Sequence, residues 1–205
     1  MLHLATLAPS TLGLLRRIQS QAAFADTRLV GGAALALHFG HRTSLDLDLF
    51  GSWKPLPPLE LALSNCAARV MKTGGEDALQ FFTVDDVKID CVAYPYKWLR
   101  PAVVSDGIRL ADIPDIAAMK LAAATNRGTR KDFVDVYFLL RKYSQVAVDG
   151  QFRHLRDKEK CAQTERLFGR IASRKVYYRG PDFVHPSGVV YCNVEDYLKS
   201  FGHRE

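Results

Sequence analysis

Hydrophobic positions in the first part of the chain change from helical spacing to strand-like runs. Apolar residues recurring every three or four positions predict a helix that begins at Ser10 or Thr11 and runs to about Phe24. Residues 28–30 form a short strand-like run that leads into a pair of glycines. Residues 33–39 then predict a short helix that stops at the following glycine. The chain therefore opens with a helix, a strand, a glycine turn and a second helix.

Strict alternation of polar and apolar residues comes next and predicts a strand over 42–50. A proline-rich turn at 54–58 precedes a predicted helix over 59–71. The apolar runs 79–84 and 87–92 flank two adjacent aspartates, which are residues typical of turns. These two runs therefore predict a hairpin.

The second half is mostly helical in pattern. One more short strand is predicted over 108–110, followed by a helix that Asp112 caps and that ends near Asn126, and by a helix over 130–143. Beyond Gln145 the periodicity weakens. The predictions there are a helix at 162–173, strands at 176–178 and 189–191, and a last helix after Asn193.

Strands interleaved with helices, and then a helical half, favour an α/β or mixed α+β class. We expect a core over residues 1–110 with a small mixed sheet. Residues 111–205 are expected to form a helical C-terminal region packed on that core, with a poorly defined tail after residue 145.

Composition and charge narrow the classes of function. Hydrophobic residues make up 48% of the 205 and charged residues 24%, which suits a packed core and excludes a disordered chain. Lys and Arg number 28 against 22 Asp and Glu, a net charge of +6 that fits an anionic partner such as a nucleotide or RNA.

Cysteine spacing and hydropathy exclude further classes. The 4 cysteines lie far apart without a CxxC pair, which argues against a zinc or redox site. Arg16 and Arg17 follow the first apolar residues instead of preceding them, unlike a signal peptide. No apolar run approaches the roughly 20 residues of a membrane helix. We expect a soluble, cytoplasmic protein without a membrane partner.

The alternating segment carries two aspartates that can bind metal. On a strand, Asp46 and Asp48 would share one face with Arg42 and Ser44, with their backbones roughly 7 Å apart. Like charges this close repel unless a cation neutralises them. A solvated edge strand with two surface aspartates is the alternative interpretation.

The glycine pair strengthens the first interpretation. Gly31 and Gly32 lie between a strand and a helix, where backbone amides can approach phosphate groups. A glycine pair alone is weak evidence, because glycine turns are common. A strand, a glycine pair, a helix and a strand with two spaced aspartates form a more specific combination.

This combination resembles the polymerase-β-like nucleotidyltransferase superfamily. The wider sequence is similar to the AbiEii/AbiGii-type nucleotidyltransferase toxins of bacterial toxin–antitoxin systems. Ala33 departs from that pattern, because threonine is common at this position. The similar segments are 29–38, 40–42, 44–50, 88–90, 115–121 and 131–140.

The resemblance implies a fold, a reaction and a set of site residues. The expected reaction moves a nucleoside monophosphate from an NTP to an acceptor hydroxyl, with Mg²⁺ or Mn²⁺ as cofactor and loss of pyrophosphate. The implied metal ligands are Asp46, Asp48 and Asp90. The implied catalytic set is Asp46, Asp48, Asp90, Lys120 and Asp132, and the implied nucleotide-binding set is Gly31, Gly32, Arg42, Ser44 and Lys120.

Three of these residues also have ordinary structural explanations. Asp90 matches the superfamily's third carboxylate, but it could simply pair with Lys88 on the same strand face. Lys120 falls in the apolar stripe of its helix, where it could reach a triphosphate or extend from the core edge to solvent. Asp132 lies three residues after Thr129, a spacing typical of a capping box.

A basic cluster precedes the second of the late helices. Arg127, Arg130 and Lys131 lie where positive charge opposes the helix dipole by roughly 0.3–1 kcal/mol per residue. An RNA or nucleotide phosphate would account for them, and a basic solvated turn is the alternative.

The resemblance further implies a toxin that acts on the 3′ end of tRNA and that binds a cognate antitoxin on a separate chain. Two other functions remain open from the sequence. One is an antibiotic- or protein-modifying nucleotidyltransferase with the same site. The other is a non-catalytic, decayed toxin that acts as an interaction protein.

Overall fold

A computed structural model of the chain describes residues 1–53, 59–126, 129–142, 183–184 and 190–191. Its main feature is a seven-stranded mixed sheet with the strand order β3-β4-β5-β2-β1-β7-β6. The strands are β1 (Arg28–Val30), β2 (Leu47–Gly51), β3 (Val70–Glu76), β4 (Leu79–Val84), β5 (Val87–Ala93), β6 (Val103–Ser105) and β7 (Ile108–Leu110).

Helices precede, interrupt and follow this sheet. The α-helices are α1 (Pro9–Ser20), α2 (Gly31–Phe39), α3 (Glu60–Ser64), α4 (Ile113–Asn126) and α5 (Arg130–Lys142), and short 3₁₀ turns cover Leu4–Thr6 and Ala22–Phe24. Helices α4 and α5 pack on each other, and both contact α2. The segments β8 (Phe183–Val184) and β9 (Val190–Tyr191) pair antiparallel in a separate small sheet. Among the described residues, none of the helices has the length and apolar character needed to cross a membrane.

The register of the central strands separates a buried face from a polar one. Leu49 lies opposite Leu29 of β1 and Cys91 of β5, and all three are fully buried. Each fully buried apolar side chain contributes roughly 1.5–3 kcal/mol. The next register position pairs Asp48 with Val30 and Asp90, so the two carboxylates share the opposite face. The fold is therefore of mixed α/β class with one mixed sheet, as predicted.

Several local predictions are confirmed. Strand β1 is followed by helix α2, which Gly40 ends with a left-handed φ of 68°. The predicted hairpin is formed by β4 and β5, and both turn aspartates have positive φ, 45° at Asp85 and 66° at Asp86. Asp112 caps helix α4 by accepting a hydrogen bond from the amide of Ile113 at 2.8 Å.

The predicted strand over 42–50 is wrong in its first half. Strand β2 begins only at Leu47, and Leu45 is 72% exposed instead of buried. The backbone N–H of Ser44 donates to Thr6 rather than to a neighbouring strand, and the side chain of Arg42 turns to a buried carboxylate on α5. Arg42, Ser44 and the two aspartates therefore do not form one continuous strand face.

The predicted helix over 59–71 is also wrong beyond Ser64, where α3 ends. Residues Val70–Glu76 form strand β3 instead, with an irregular register between Lys72 and Gly74. The backbone of Gly75 has φ 86° and lies so close to Leu79 that any side chain would overlap it. Residues 70–76 form a strand because their backbone pairs with β4. Burial of their side chains contributes little, since these side chains are exposed or only partly buried.

Other elements differ from their predicted boundaries or lie outside the described residues. The first helix ends at Ser20, and a 3₁₀ turn continues to Phe24. Strand β6 was not expected, and the predicted strand over 189–191 is present at Val190–Tyr191. The predicted turn at 54–58, the helix at 162–173, the strand at 176–178 and the last helix lie outside the described residues.

Candidate active site

The glycine pair forms a close contact between helix α2 and two charged side chains. Gly31 has φ 67°, and a Cβ atom there would overlap the carboxylate of Asp48. A Cβ atom on Gly32 would overlap the guanidinium of Arg42. Gly31 is favoured by its positive φ as well as by this contact, whereas a side chain at Gly32 would displace the guanidinium of Arg42. The arrangement places the Asp48 carboxylate at the positive end of the α2 dipole.

Asp48 and Asp90 are neighbours across the parallel pair β2 and β5. Burial raises the pKa of Asp48 to about 6, the ammonium of Lys120 opposes this rise, and the charges of Asp90 and Asp46 add to it. A carboxyl that is costly to ionise in a protein without metal gains when a cation arrives. Asp48 thus has the electrostatic character of a metal ligand.

Asp90 has one oxygen engaged and one available. Its Oδ2 accepts a hydrogen bond from Lys88 Nζ at 3.1 Å, and this bond is the main cause of the raised pKa of Lys88. Its Oδ1 is buried and has no hydrogen-bond partner within the described part of the chain. Buried polar atoms are seldom left unpaired, so this oxygen marks a place for a cation or a substrate hydroxyl.

Asp46 lies near Asp48, since its charge contributes to the raised pKa of Asp48, but it is not on the strand face that Asp48 and Asp90 share. It precedes β2 and is exposed, contrary to the predicted strand position. Over residues 1–53, 59–126 and 129–142, no three His, Cys, Asp or Glu side chains converge closely enough to hold a metal ion. The type of donor atom nevertheless suits a hard cation, because Asp48 and Asp90 supply adjacent carboxylates, one of them with an unpaired oxygen.

Lys120 is held in a buried cluster of charges. Its Nζ lies 2.6 Å from Asp135 Oδ2 and 3.4 Å from Asp132 Oδ1. Arg42 binds Asp135 with two nitrogens, Nε at 2.8 Å and Nη2 at 2.9 Å. Lys120 is only 5% exposed, and its charge also acts on Asp48. Lys120 therefore does more than extend from the core edge to solvent.

Asp135 is the residue that sequence reasoning missed. It is fully buried and binds Arg42, Lys120 and His41, whose Nε2 lies 2.8 Å from Asp135 Oδ1. Burial alone would raise the pKa of Asp135, but Arg42, Lys120 and the hydrogen bond from His41 hold it well below its ordinary range. The signal in the sequence was a charged residue between two valines, Val134 and Val136, inside a predicted helix.

His41 was assigned no role from the sequence, and the structure buries it in this cluster. Burial lowers its pKa, and the nearby charges of Arg42 and Lys120 lower it further, although Asp135 opposes them. A neutral ring must donate its Nε2–H to the carboxylate of Asp135, which can only accept. His41 therefore helps to fix the position of Asp135.

Asp132 contacts both the start of its own helix, as a capping box predicts, and the charged residues of the candidate site. The hydroxyl of Thr129 donates to Asp132 Oδ2 at 2.5 Å, and the amide of Asp132 donates to the Thr129 carbonyl at 3.0 Å, a local arrangement related to a capping box. The other carboxylate oxygen of Asp132 faces Lys120. A capping residue is thus also part of the charged cluster.

The structure brings together Gly31, Gly32, Arg42, Asp48, Asp90, Lys120 and Asp132, and it adds Asp135. Ser44 is half-buried, and Lys131 is exposed on α5. The side chains of Arg127 and Arg130 lie outside the described residues. The phosphate-binding roles of these four residues remain predictions.

Comparisons with known proteins agree with this geometry. A family described as "Nucleotidyl transferase AbiEii toxin, Type IV TA system" matches residues 13–176. An uncharacterized protein of Aquifex aeolicus (strain VF5) is 36% identical over 124 residues, which cover 58% of this chain and 59% of that protein. The match therefore spans less than two thirds of this relative's length.

Solved structures share the fold at low identity. The antibiotic-resistance factor ANT(2'')-Ia aligns with TM-score 0.58 and 16% identity, over 78% of this chain and 98% of that one. A candidate nucleotidyltransferase from H. pylori aligns with TM-score 0.51 and 16% identity, over 80% of this chain and 92% of that one.

Proposed function

We propose a function for this chain, which belongs to the AbiEii nucleotidyl transferase toxin family and is a nucleotidyltransferase enzyme. The proposed reaction transfers a nucleoside monophosphate from an NTP to an acceptor hydroxyl, in the presence of Mg²⁺ or Mn²⁺. The proposed acceptor is the 3′ end of tRNA, the proposed role is that of a toxin, and a cognate antitoxin is the proposed partner. The observation that carries the reaction is the pair of register-matched carboxylates, Asp48 and Asp90, beside the Gly31–Gly32 turn and Lys120.

In this proposal one group of residues binds the triphosphate and another binds a cation. The amides of Gly31 and Gly32 and the ammonium of Lys120 bind and orient the triphosphate. Asp48 and Asp90 would hold a divalent cation, with Asp46 as a third oxygen ligand from the segment before β2, and this cation would offset the negative charge of the triphosphate.

Asp90 is also the proposed proton acceptor. Its unpaired Oδ1 can accept the proton of the acceptor hydroxyl, which orients that oxygen toward the α-phosphorus. The new bond joins the acceptor oxygen to the α-phosphorus, and the bond to the β-phosphate oxygen breaks. Pyrophosphate leaves with the electron pair of that bond.

The reaction is tested by incubating the protein with total tRNA, Mg²⁺ and each α-labelled NTP in turn. We expect label to enter tRNA with one NTP preferred, and Asp48→Asn to abolish incorporation. Label in a protein or small-molecule acceptor, and none in tRNA, would replace the tRNA proposal with a modifying transferase. Absence of transfer to any acceptor, together with absence of NTP binding, would favour a non-catalytic interaction protein.

Lys120→Met is expected to weaken Mg-NTP binding by about 10- to 100-fold, since a charge-assisted contact to phosphate is worth roughly 1.5–3 kcal/mol. It should also lower the free energy of unfolding, because Asp132 and Asp135 both lose an ion-pair partner. Calorimetric titration at a temperature where both proteins are folded separates these effects. Lys120→Arg is the control that keeps the charge. Equal NTP affinities in all three proteins would confine Lys120 to a structural role.

The basic cluster provides a separate test of the RNA acceptor. Replacing Arg127, Arg130 and Lys131 with Gln should weaken RNA binding and reduce its salt dependence, by roughly 0.7 in the slope of log K against log salt per lost phosphate contact. Mg-NTP affinity should change little, since the triphosphate is assigned to the glycine turn and Lys120. Filter binding over a range of salt concentrations measures the slope. A triple variant with unchanged RNA binding would leave the cluster as a solvated turn.

A further inference from the structure

Aromatic side chains gather on the same sheet face as the acidic pair. Phe50 lies two residues after Asp48 on β2, so both point to one face with their Cα atoms roughly 7 Å apart. The ring of Tyr94 lies 5.6 Å from that of Phe50, and it contacts Tyr96 at 5.4 Å and Trp98 at 4.5 Å between centroids. We call Phe50, Tyr94, Tyr96 and Trp98 the aromatic platform.

The platform is fixed to the sheet by polar contacts. The amide of Tyr94 donates to the carbonyl of Gly51 at 2.7 Å, which continues the pairing of β2 with β5. The Arg28 guanidinium lies 4.2 Å from the centroid of the Trp98 ring, and its Nη1 donates to the Arg100 carbonyl at 2.7 Å. These contacts set the rings before any ligand binds.

A second anchor holds the segment that carries Trp98. The buried carboxylate of Asp115, in the first turn of α4, accepts hydrogen bonds from the amides of Leu99 at 2.8 Å and Arg100 at 3.2 Å. Residues 94–100 are therefore tied to both β1 and α4. A preorganised aromatic surface binds a flat ligand with little loss of conformational entropy.

Exposure distinguishes the platform from ordinary core packing. Tyr94 is buried at 8% exposure, and Trp98 is partly buried. Tyr96 remains 48% exposed, although its ring already packs on Tyr94. A half-exposed ring that packs on a buried ring, on the sheet face of the proposed phosphoryl-transfer site, has the properties of a stacking surface.

We propose that the aromatic platform stacks a nucleobase, with Tyr96 as the exposed contact and Trp98 as its fixed neighbour. This inference rests on the proposed function, because it concerns the substrate of the same site. A sugar and the phosphate chain separate a base from the reacting phosphorus, which suits a surface that begins at Phe50, two strand residues from Asp48, and continues through Tyr94 to Tyr96. The base could belong to the NTP or to the acceptor strand, and the two sources share this chemistry.

Trp98 supplies an intrinsic probe, since the chain has only 2 tryptophans. The other, Trp53, packs edge-on against Phe24 and donates its indole N–H to Ala23 at 2.9 Å. Fluorescence is measured with Mg²⁺ present and each ligand added alone, so that no transfer occurs, during titration with each of the four NTPs, with inorganic tripolyphosphate, and with a short single-stranded RNA. We expect quenching by one or more base-containing ligands and none by tripolyphosphate. Trp98→Phe should abolish this quenching while Trp53 still emits.

Substitution of Tyr96 separates stacking from folding. Tyr96→Leu should weaken the binding of the quenching ligand about tenfold, since base–aromatic stacking has this order of effect, and Tyr96→Phe should retain nearly full affinity. Quenching by NTPs assigns the base to the nucleotide, and quenching by RNA alone assigns it to the acceptor.

Each result has a defined meaning for the two proposals. Equal affinity of Tyr96→Leu and wild type, or quenching by tripolyphosphate alone, would overturn the platform even if transfer activity is present. Quenching that depends on Tyr96 in a protein without transfer activity would support the platform and count against the proposed reaction.

Discussion

Asp135→Asn is expected to lower the free energy of unfolding by about 3–5 kcal/mol, the usual cost of breaking a buried ion pair from one side. The substitution keeps the size of the side chain and removes its charge. Arg42 and Lys120 would then remain buried without the carboxylate that binds both, and His41 would lose a charged acceptor. Urea denaturation at pH 7.5 measures the change, with the slope against urea concentration checked for constancy.

Asp86→Asn is the matched control. Its carboxylate lies 2.6 Å from Arg69, but the two side chains are 79% and 72% exposed. Exposed ion pairs contribute roughly 0–1 kcal/mol, and asparagine tolerates the positive φ of this turn. A loss in Asp135→Asn no larger than in this control would show that the buried cluster does not stabilise the fold.

The stability provided by Asp135 should also depend on pH in a defined direction. Because its folded pKa lies well below the ordinary value, its contribution is present above the unfolded pKa of about 4. It is lost as the pH falls through the folded pKa. The difference between wild type and Asp135→Asn should therefore be constant near neutral pH and shrink only in strong acid.

The buried cluster also links the helices to the proposed phosphate site. Arg42 lies over Gly32 at the start of α2, and Lys120 acts on Asp48, while Asp135 binds both cations. Asp135 is thus a positioning residue, because it holds groups at the site without itself joining the two acidic strands. In the folded fraction of Asp135→Asn, Mg-NTP affinity should fall as well, and a rescue by Asp135→Glu would favour charge over exact shape.

The parts of the site that the sequence could predict are those formed by local chemistry. The glycine pair requires a tight turn, the alternation around Asp48 requires a strand, and the two aspartates at 85–86 require a turn. Each of these features depends on residues within a few positions of one another. Asp48 and Asp90 were each predicted on a strand from local patterns, but only the family resemblance implied that the two strands are neighbours, as they are in the structure.

The parts that could not be predicted depend on distant contacts. Alternation continues through Arg42 in the sequence, but Arg42 binds a carboxylate 93 residues later, and this contact competes with strand pairing. His41 pairs with the same carboxylate across 94 residues. Edge strand β3 exposes most of its side chains, so no hydrophobic pattern marks it. Periodicity reports which residues are buried, and it does not report which partner buries them.

The second large effect is expected at Asp48. Asp48→Asn should reduce nucleotide transfer by at least about a thousandfold, equivalent to roughly 4 kcal/mol of transition-state stabilisation, because a neutral amide is a poor ligand for a hard divalent cation. Single-turnover assays with saturating NTP measure this loss without interference from product release. Circular dichroism and denaturation confirm that the variant is folded.

The same variant should be more stable than wild type in EDTA near neutral pH. The folded pKa of Asp48 is about 6 and its ordinary value is 3.8, so ionising it in the folded protein costs free energy. That cost is small at pH 4, grows as the pH rises from the unfolded pKa to the folded pKa of about 6, and is constant above it at no more than about 3 kcal/mol. Stability of Asp48→Asn relative to wild type should therefore rise from pH 4 to pH 7.5.

Asp46→Asn separates the catalytic effect from the electrostatic one. Asp46 is exposed before β2, so its replacement should change stability by no more than about 0.5 kcal/mol while still impairing transfer. Excess Mg²⁺ should remove the stability advantage of Asp48→Asn, because the cation stabilises only the protein that retains the full carboxylate set. An Asp48→Asn protein that is inactive but gains no stability at pH 7.5, with or without Mg²⁺, would mean that the carboxylate is not under electrostatic strain. The pairing with Asp90 would then have to be explained by hydrogen bonding instead of by a cation site.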